Sequence, residues 1–571
     1  MQLPLNLSMP YWLLCTLFYL VRSGLLIFLF IQSTLPYFLE SDQRLRKSVF
    51  NRPMYLLSML ITLIISRMPI ILFNRELNPD EAQMLAGAIT LSHDPVFWRS
   101  VDGTTHGPFD QLPLLLPRLF DLPINFHTGR VIGILSVFAC LYLLYLGNRS
   151  LFSEKTARLA VFPAACFFAL TDFFDFVHYS SEHIPILMIS LLNYCFLRAC
   201  VMDHGKLTER RFSLIVAGTL VFLIPLAKLQ AALFSACFWF IINMFLIMDS
   251  KRIFKSKLMR VSAFNLSIVG VMALFLTYLK YFELVNTFIA YYLLNNIFYV
   301  SAGHVMVLSE VMSFLKAERS WQNFVLLSGT SAIFGLFFNH RYYRKNLGLT
   351  LSVILLNICA LATVLTPNRP FPHYLLFLVF PLCQLVALLI SPGYCAMEEG
   401  ENPQKAALPL KVYHRAFFAC VLTVFISSLF LKNHFLPRNV SEMFKKSAVS
   451  VKIGEYAEPG ESLGMWGWMC RYYVETGMRQ ATREAHTERQ IRSHPQRDLY
   501  KLRYLTDLKQ SFPAAFIDAV GPDNFAFEDR TLYGHENFPE LNDFIRERYT
   551  LVGDIDNTRI YIRNDRISMR R

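Results

Sequence analysis

Long apolar runs recur along the chain, each separated from the next by a short polar or basic link. A membrane-spanning helix needs about 20 mainly apolar residues. On that criterion the runs 11–36, 54–73, 128–147, 156–170, 184–201, 212–227, 232–248, 261–280, 322–339, 347–366, 373–391 and 415–432 predict about twelve spans. Arg22 lies in the middle of the first. Beyond 433 the pattern changes. Ser462–Trp468, Pro513–Val520 and Thr558–Arg563 read as strands, with 498–511 and 538–547 helical between them. The predicted fold class is a polytopic α-helical membrane protein with a small C-terminal soluble α/β domain. Three regions follow: 1–53, a membrane segment and basic loop; 54–432, the transmembrane domain; and the tail 433–571.

The basic residues cluster in alternate links. Arg44, Arg46, Lys47 and Arg52 follow the first span; Lys206, Arg210 and Arg211 follow the fifth. Lys251, Arg252, Lys255, Lys257 and Arg260 follow the seventh, and Arg341, Arg344 and Lys345 the ninth. Successive clusters are an even number of spans apart, so all fall on one side, the cytoplasm by the positive-inside rule. Loops 74–127, 171–183, 281–321 and 367–372 and the tail then face the other compartment. Within them, 81–91 reads as a short amphipathic helix and 108–120 as a Leu-rich segment broken by prolines. Residues 281–300, with Tyr281, Phe282, Tyr291, Tyr292 and Tyr299, read as an interfacial helix.

Composition agrees with this and narrows the function classes. Of 571 residues, 54% are hydrophobic and 17% charged, against about 25% charged in soluble domains. The net charge of +13 sits largely in the links, so topology accounts for it and no nucleic-acid partner is needed. The 11 cysteines are scattered, nearly all in or beside apolar runs, and no CxxC pair exists for zinc or redox chemistry. No Walker or Rossmann glycine motif is present.

The chemistry concentrates in the outer loops. Asn78-Pro79-Asp80-Glu81 opens a helix, and two readings of it stand. In one, Asn78 is the N-cap, Pro79 the first helical residue and Glu81 the far end of a capping box. In the other, Asp80 and Glu81 form a general-base site at the membrane surface. Asp102 and His106 follow in Asp-Gly-Thr-Thr-His-Gly-Pro, a run of turn signals. Asp172, Asp175, His178 and Glu182 recur at helical steps on one predicted face. They read as a polar site wall, as substrate contacts, or as oxygen and imidazole ligands for a divalent metal. Lys228 and His373 sit at outer span ends and Arg369 just beyond, at the depth of a lipid phosphate. Snorkelling is the competing explanation for Lys228. Trp466, Trp468, Tyr472 and Tyr473 of the tail read as core or interface before sugar-stacking.

The order Asp-Glu opening a helix, then Asp-Gly-x-Thr-x-Gly-Pro, then Leu-Pro-Leu-Leu-Leu-Pro at 112–117, then Gly129-Arg130 entering a span resembles the first outer loop of the GT-C membrane glycosyltransferases. It is nearest to the protein O-mannosyltransferase-like enzymes and the lipid A aminoarabinose transferases. Asp172–Glu182, Pro225-Leu226-Ala227-Lys228-Leu229-Gln230 and Asn368-Arg369-Pro370-Phe371-Pro372-His373-Tyr374 resemble bacterial members. The Lys-Pro-Pro motif of the aminoarabinose transferases is replaced by Thr105-His106-Gly107-Pro108.

The resemblance implies a GT-C-like fold over roughly 54–391. It also implies a sugar donor carried on polyprenyl phosphate, Asp80 as catalytic base, and no required cofactor, a divalent metal being found in some oligosaccharyltransferases of the class. The expected activity is inverting transfer to a protein, lipid or glycan hydroxyl on the outer face of a bacterial inner membrane. Asp80 and Glu81 are the candidate catalytic residues. Asp102, His106, Asp172, Asp175, His178, Glu182, Lys228, Arg369 and His373 are the candidate donor or acceptor contacts. The competing classes are a lipid-linked oligosaccharide ligase or polymerase and a non-enzymatic polyprenyl-lipid transporter.

Overall fold

The computed structural model describes residues 10–38, 51–202, 207–250, 252–303, 306–314, 316, 318–338, 346–390, 419, 422–435 and 445–568. The protein is a multi-pass helical membrane protein. Nine described helices are long and apolar enough to cross a membrane: Tyr11–Pro36, Arg52–Leu72, Phe126–Leu151, His183–Val201, Thr208–Ala227, Leu229–Met248, Phe254–Tyr281, Leu347–Leu365 and Pro372–Ile390. Two more expected spans are helices at Glu154–Leu170 and Arg319–Phe338. The last, 415–432, lies partly outside the described residues. So do basic residues Arg44, Arg46, Lys47, Lys206, Lys251, Arg341, Arg344 and Lys345.

Arg22 does not break the first helix, which runs unbroken over Tyr11–Phe38. Its side chain is buried, donates Nη2 to the Leu431 carbonyl at 2.6 Å and lies 4.8 Å from the Tyr19 ring centroid. A carbonyl and an aromatic face replace water around the charge.

The tail contains a five-stranded sheet in the order β2-β1-β3-β5-β4. Its strands are β1 (Ser462–Gly467), β2 (Arg479–Gln480), β3 (Ala515–Ala519), β4 (Tyr549–Ile555) and β5 (Thr558–Arg563). β1 runs parallel to β2 and β3, while β5 runs antiparallel to β3 and β4. Met465 pairs with Ile517 and Ile517 with Ile560. Successive strand side chains alternate faces. Trp466 and Phe516 pack on one side with Tyr504, Leu508 and Leu541. Leu463, Met465, Ile517 and Ile560 pack on the other, in one cluster with Ala82, Leu85, Ala86 and Ile89.

That second cluster decides the place of the first outer loop. Its helix, Pro79–Leu91, is buried from Glu81 to Leu91, so it is not the amphipathic surface helix that its sequence predicts. Ala82 and Ala86 let the tail approach closely, and Gln480 of β2 donates its backbone N–H to Thr90 Oγ1 at 3.0 Å. Two other polar side chains of the helix turn inward: Glu81 meets Arg130, and Gln83 Nε2 donates to Thr104 Oγ1 at 3.1 Å. The 281–300 segment is helical from Val285 onward, with one correction at Tyr292. It forms a helix through Val285–Phe288, a π stretch Ile289–Leu294 and Asn295–Ser301. Its Tyr292 is buried, donating to the Pro225 carbonyl at 2.6 Å, rather than facing lipid.

Candidate functional site

Two side-chain interactions fix the start of the Pro79–Leu91 helix. Asn78 caps it, its Oδ1 accepting the Asp80 N–H at 2.9 Å, with Pro79 as first helical residue. Glu81 does not reach back to complete a box. Its carboxylate is buried and held by both nitrogens of the Arg130 edge, Nε at 2.8 Å and Nη2 at 2.7 Å. Asp80 is therefore free of both duties. Among the described residues its carboxylate has no ion pair or side-chain hydrogen bond. It is half-buried and borders a cavity of about 400 Å³.

One wall of this cavity comes from three segments. Lys228 ends the helix Leu207–Ala227 in an extended conformation, φ −146° and ψ 121°. It is placed there by a backbone bridge to His106, while Gly107 N–H donates to the Ala227 carbonyl at 2.6 Å. A Cβ at Gly107 would sit 1.9 Å from the Leu226 oxygen, so only glycine permits the contact. Lys228 Nζ donates to Ser181 Oγ at 2.6 Å and pairs with Glu182. His373, in the 3₁₀ turn Pro372–Leu375, places Nδ1 3.8 Å from Asp175 Oδ1. Asp175 Oδ1 also accepts from Asn78 Nδ2 at 2.7 Å, which ties this wall to the cap beside Asp80.

The charges around the cavity oppose one another. Burial raises the Asp80 carboxyl above the ordinary aspartate range, against the pull of His373, His178 and Lys228. Burial, helped by Lys228, pushes His106 down to about 3. The ring is neutral and lies 3.0 Å from Gln111 Nε2. Glu182 is pushed up by burial, but Lys228 and His373 overcome this and bring it to about 2.

Five of the eleven candidate residues line the cavity together: Asp80, His106, Asp175, Lys228 and His373. The other six have different places. Glu81 is the anchor just described. Asp102 is buried against Arg503 of the tail, which also holds Glu484 at 2.7 Å. Arg369 lies over the Tyr299 ring at 4.5 Å. Asp172, His178 and Glu182 do not share a helical face with Asp175. The chain is helical only over Phe174–Val177, and the next helix begins at His183. Local bonds replace helical ones here: His178 Nδ1 contacts the Phe174 carbonyl at 2.7 Å, and Ser180 N–H donates to His183 Nδ1 at 3.1 Å. Asp172 binds His434 at 2.7 Å and Glu182 binds Lys228, so the four side chains turn to different partners instead of one ion. In the tail, Asp518, His535 and Glu536 bring potential ligand atoms within 4.8 Å of one another. Arg559 already bridges the two carboxylates, and the set carries its own cation.

The cavity also has a wall that sequence reasoning missed. Trp468, His486, Glu488, Arg489 and Phe525 of the tail line it, with Tyr299 and Tyr374 from the membrane domain. Trp466, Tyr472 and Tyr473 are buried in the tail, as expected for core aromatics, but Trp468 is not one of them. The only signal for Trp468 was its aromaticity. His486-Thr487-Glu488-Arg489 gave none.

No protein-family model matches the sequence, and no curated protein matches it. Solved structures do match in fold. ArnT from Cupriavidus metallidurans bound to undecaprenyl phosphate superposes with a TM-score of 0.56 at 10% identity, covering 89% of this chain and 97% of that one. The same protein in its apo state gives a TM-score of 0.51 at 11% identity, covering 88% and 97%. The chain thus shares its fold with that membrane protein over most of its length.

Proposed function

We propose that this protein is an inverting glycosyltransferase that moves a sugar from a polyprenyl-phosphate carrier to a hydroxyl acceptor. The observation that carries the proposal is the unpaired Asp80 carboxylate in one cavity with Lys228 and His373. The fold supports it, because the similar ArnT structure holds undecaprenyl phosphate. Lys228 has three N–H donors, and two meet Ser181 and Glu182. The third, with His373 Nδ1, which lies 3.8 Å from Asp175 Oδ1 and makes no hydrogen bond among the described residues, is available to a phosphate.

In the proposed reaction Asp80 accepts the proton of the acceptor hydroxyl as its oxygen bonds to the anomeric carbon. The bond from that carbon to the phosphate oxygen breaks, and its electron pair leaves with the polyprenyl phosphate. One displacement inverts the carbon. The leaving group is already an anion of low basicity, so electrostatic stabilisation matters more than a general acid. The cavity size suits a single sugar and phosphate better than a long oligosaccharide.

The acceptor class is protein, lipid or glycan, in contact with membrane lipid. We place the site and tail on the outer face of a bacterial inner membrane because of the basic links. A phosphatase fused after Arg571 is then active. Inactivity there, with an active cytoplasmic reporter at the same point, refutes the orientation. The enzymatic test is radiolabelled transfer from a panel of polyprenyl-phosphate sugars in vesicles, with and without EDTA. Absence of transfer from every donor, in protein that is folded and abundant, refutes the proposal.

A further inference from the structure

β1 ends at Gly467 with φ +103°, and a Cβ there would lie 2.6 Å from the Ala519 carbonyl oxygen. Only glycine fits this turn. Thr487 clamps it from the other side: Gly467 N–H donates to Thr487 Oγ1 at 2.7 Å, and Thr487 N–H donates to the Gly467 carbonyl at 3.0 Å. The residues adjoining the clamp are thereby laid on each other. The rings of Trp468 and His486 stack with centroids 3.9 Å apart and 9° between planes, and Phe525 meets Trp468 edge-on at 5.2 Å.

The stacked pair carries two unused donors. His486 is 2% exposed. Its Nδ1 receives the Glu488 N–H at 3.3 Å, so the ring proton resides on Nε2. Burial, with Arg489 and His106 nearby, holds the ring neutral by pushing it well below the ordinary histidine value. Among the described residues, neither His486 Nε2 nor Trp468 Nε1 has a hydrogen-bond partner, though both atoms are buried. Both side chains line the cavity. A buried donor without an acceptor is destabilising, and here both unpaired donors belong to one face-to-face ring pair that lines a ligand-sized space. A pyranose ring has the complementary chemistry, an apolar C–H face with hydroxyl oxygens around its rim.

We propose that Trp468 and His486 form the sugar-reading subsite of the cavity, their ring edges donating Nε1–H and Nε2–H to the hydroxyl oxygens of a pyranose ring. This rests on the glycosyltransferase reading above and makes the tail a substrate-recognising part of the site. The ring belongs either to the donor sugar or to a glycan acceptor. The substitutions Trp468→Phe and His486→Phe keep a flat aromatic surface and each remove one N–H. Full-length protein of either kind is compared with the parent for three quantities: binding of bare undecaprenyl phosphate; binding of undecaprenyl phosphate carrying glucose, mannose or N-acetylglucosamine; and transfer rate against the concentration of an envelope glycolipid extract.

Loss of about tenfold in affinity for a sugar-loaded lipid, with bare-lipid binding unchanged, assigns the subsite to the donor. Unchanged donor binding with an acceptor KM raised about tenfold assigns it to the acceptor. Parental values for both, in variants that bind the bare lipid and melt like the parent, overturn the subsite and leave the transferase reading standing. A parent that binds no polyprenyl phosphate overturns both.

Discussion

Glu81 and Arg130 form a bidentate ion pair in which both side chains are wholly buried, with contacts of 2.8 and 2.7 Å. Arg130 also donates to the carbonyls of Ile70, Phe73 and Arg75, which end the Arg52–Leu72 helix and the strand of chain leading away from it. One guanidinium thus joins the end of a span to the start of the helix that carries Asp80. The pair divides the labour between adjacent carboxylates, leaving Glu81 to hold the loop and Asp80 open to the cavity.

Glu81→Gln leaves the Arg130 charge buried and unbalanced, which costs about 3–5 kcal/mol. The expected outcome is a sharp drop in thermal midpoint and in recovered folded protein. Adding Arg130→Leu recovers only part of the loss, because three carbonyls then lose their donor. A Glu81→Gln protein as stable as the parent removes the anchoring role.

Asp80→Asn has the opposite signature. Asn78 supplies the cap, so the melting temperature stays near the parental value while initial transfer rate falls roughly 10²–10⁴-fold. Since burial raises the Asp80 carboxyl, and the base acts deprotonated, the parental rate falls with acid along a limb centred above the ordinary aspartate value of 3.8. A variant within a few-fold of parental activity returns Asp80 to a structural role.

Arg503 joins the tail to the loop that carries His106, pairing with both Asp102 and Glu484 and lying 3.5 Å from the Tyr291 ring centroid. Arg503→Met strands two buried carboxylates and lowers stability by about 3–5 kcal/mol. The exposed pair Lys452–Glu455 is the control, and Lys452→Ala changes stability by less than about 1 kcal/mol. Equal melting curves for the two variants refute the interlock.

Glu76 gives a pH dependence. Burial raises it from 4.5 to about 7, against the pull of Arg471. Its folded value exceeds its unfolded one, so its contribution to stability is fully present below 4.5 and is lost as the pH rises through about 7. Between pH 5 and 8 the parental thermal midpoint therefore declines more steeply than that of Glu76→Gln. Parallel profiles contradict this.

The membrane helices and the strands were legible because each is written in a local pattern: apolar length for the helices, short buried runs for β1 and β3, and alternation for β5. The sheet order was not, since nothing local sets β1 between β2 and β3. Asp80 could be singled out from the loop motif. Its distinction from Glu81 could not, because the deciding partner, Arg130, lies 49 residues away. The spacing of Asp172, Asp175, His178 and Glu182 misled because it fits a helix that His178 and Ser180 interrupt with local hydrogen bonds. Trp468 looked like core because an aromatic in a strand-rich domain usually is, and its stacking partner His486 sits on a separate segment clamped to it by Thr487.

The Glu154–Leu170 helix is buried along its whole length from Thr156 and is enclosed by Tyr11–Phe38, Arg52–Leu72, Phe126–Leu151, Arg319–Phe338 and Leu376–Ile390. During biosynthesis such a segment presents no surface for lipid to select once the bundle is complete. Its burial depends on neighbours, two of which, Arg319–Phe338 and Leu376–Ile390, are synthesised long after it. The two-residue link Phe152–Ser153 ties it to Phe126–Leu151 as a hairpin, so the one neighbour available from the start is the one joined to it in sequence.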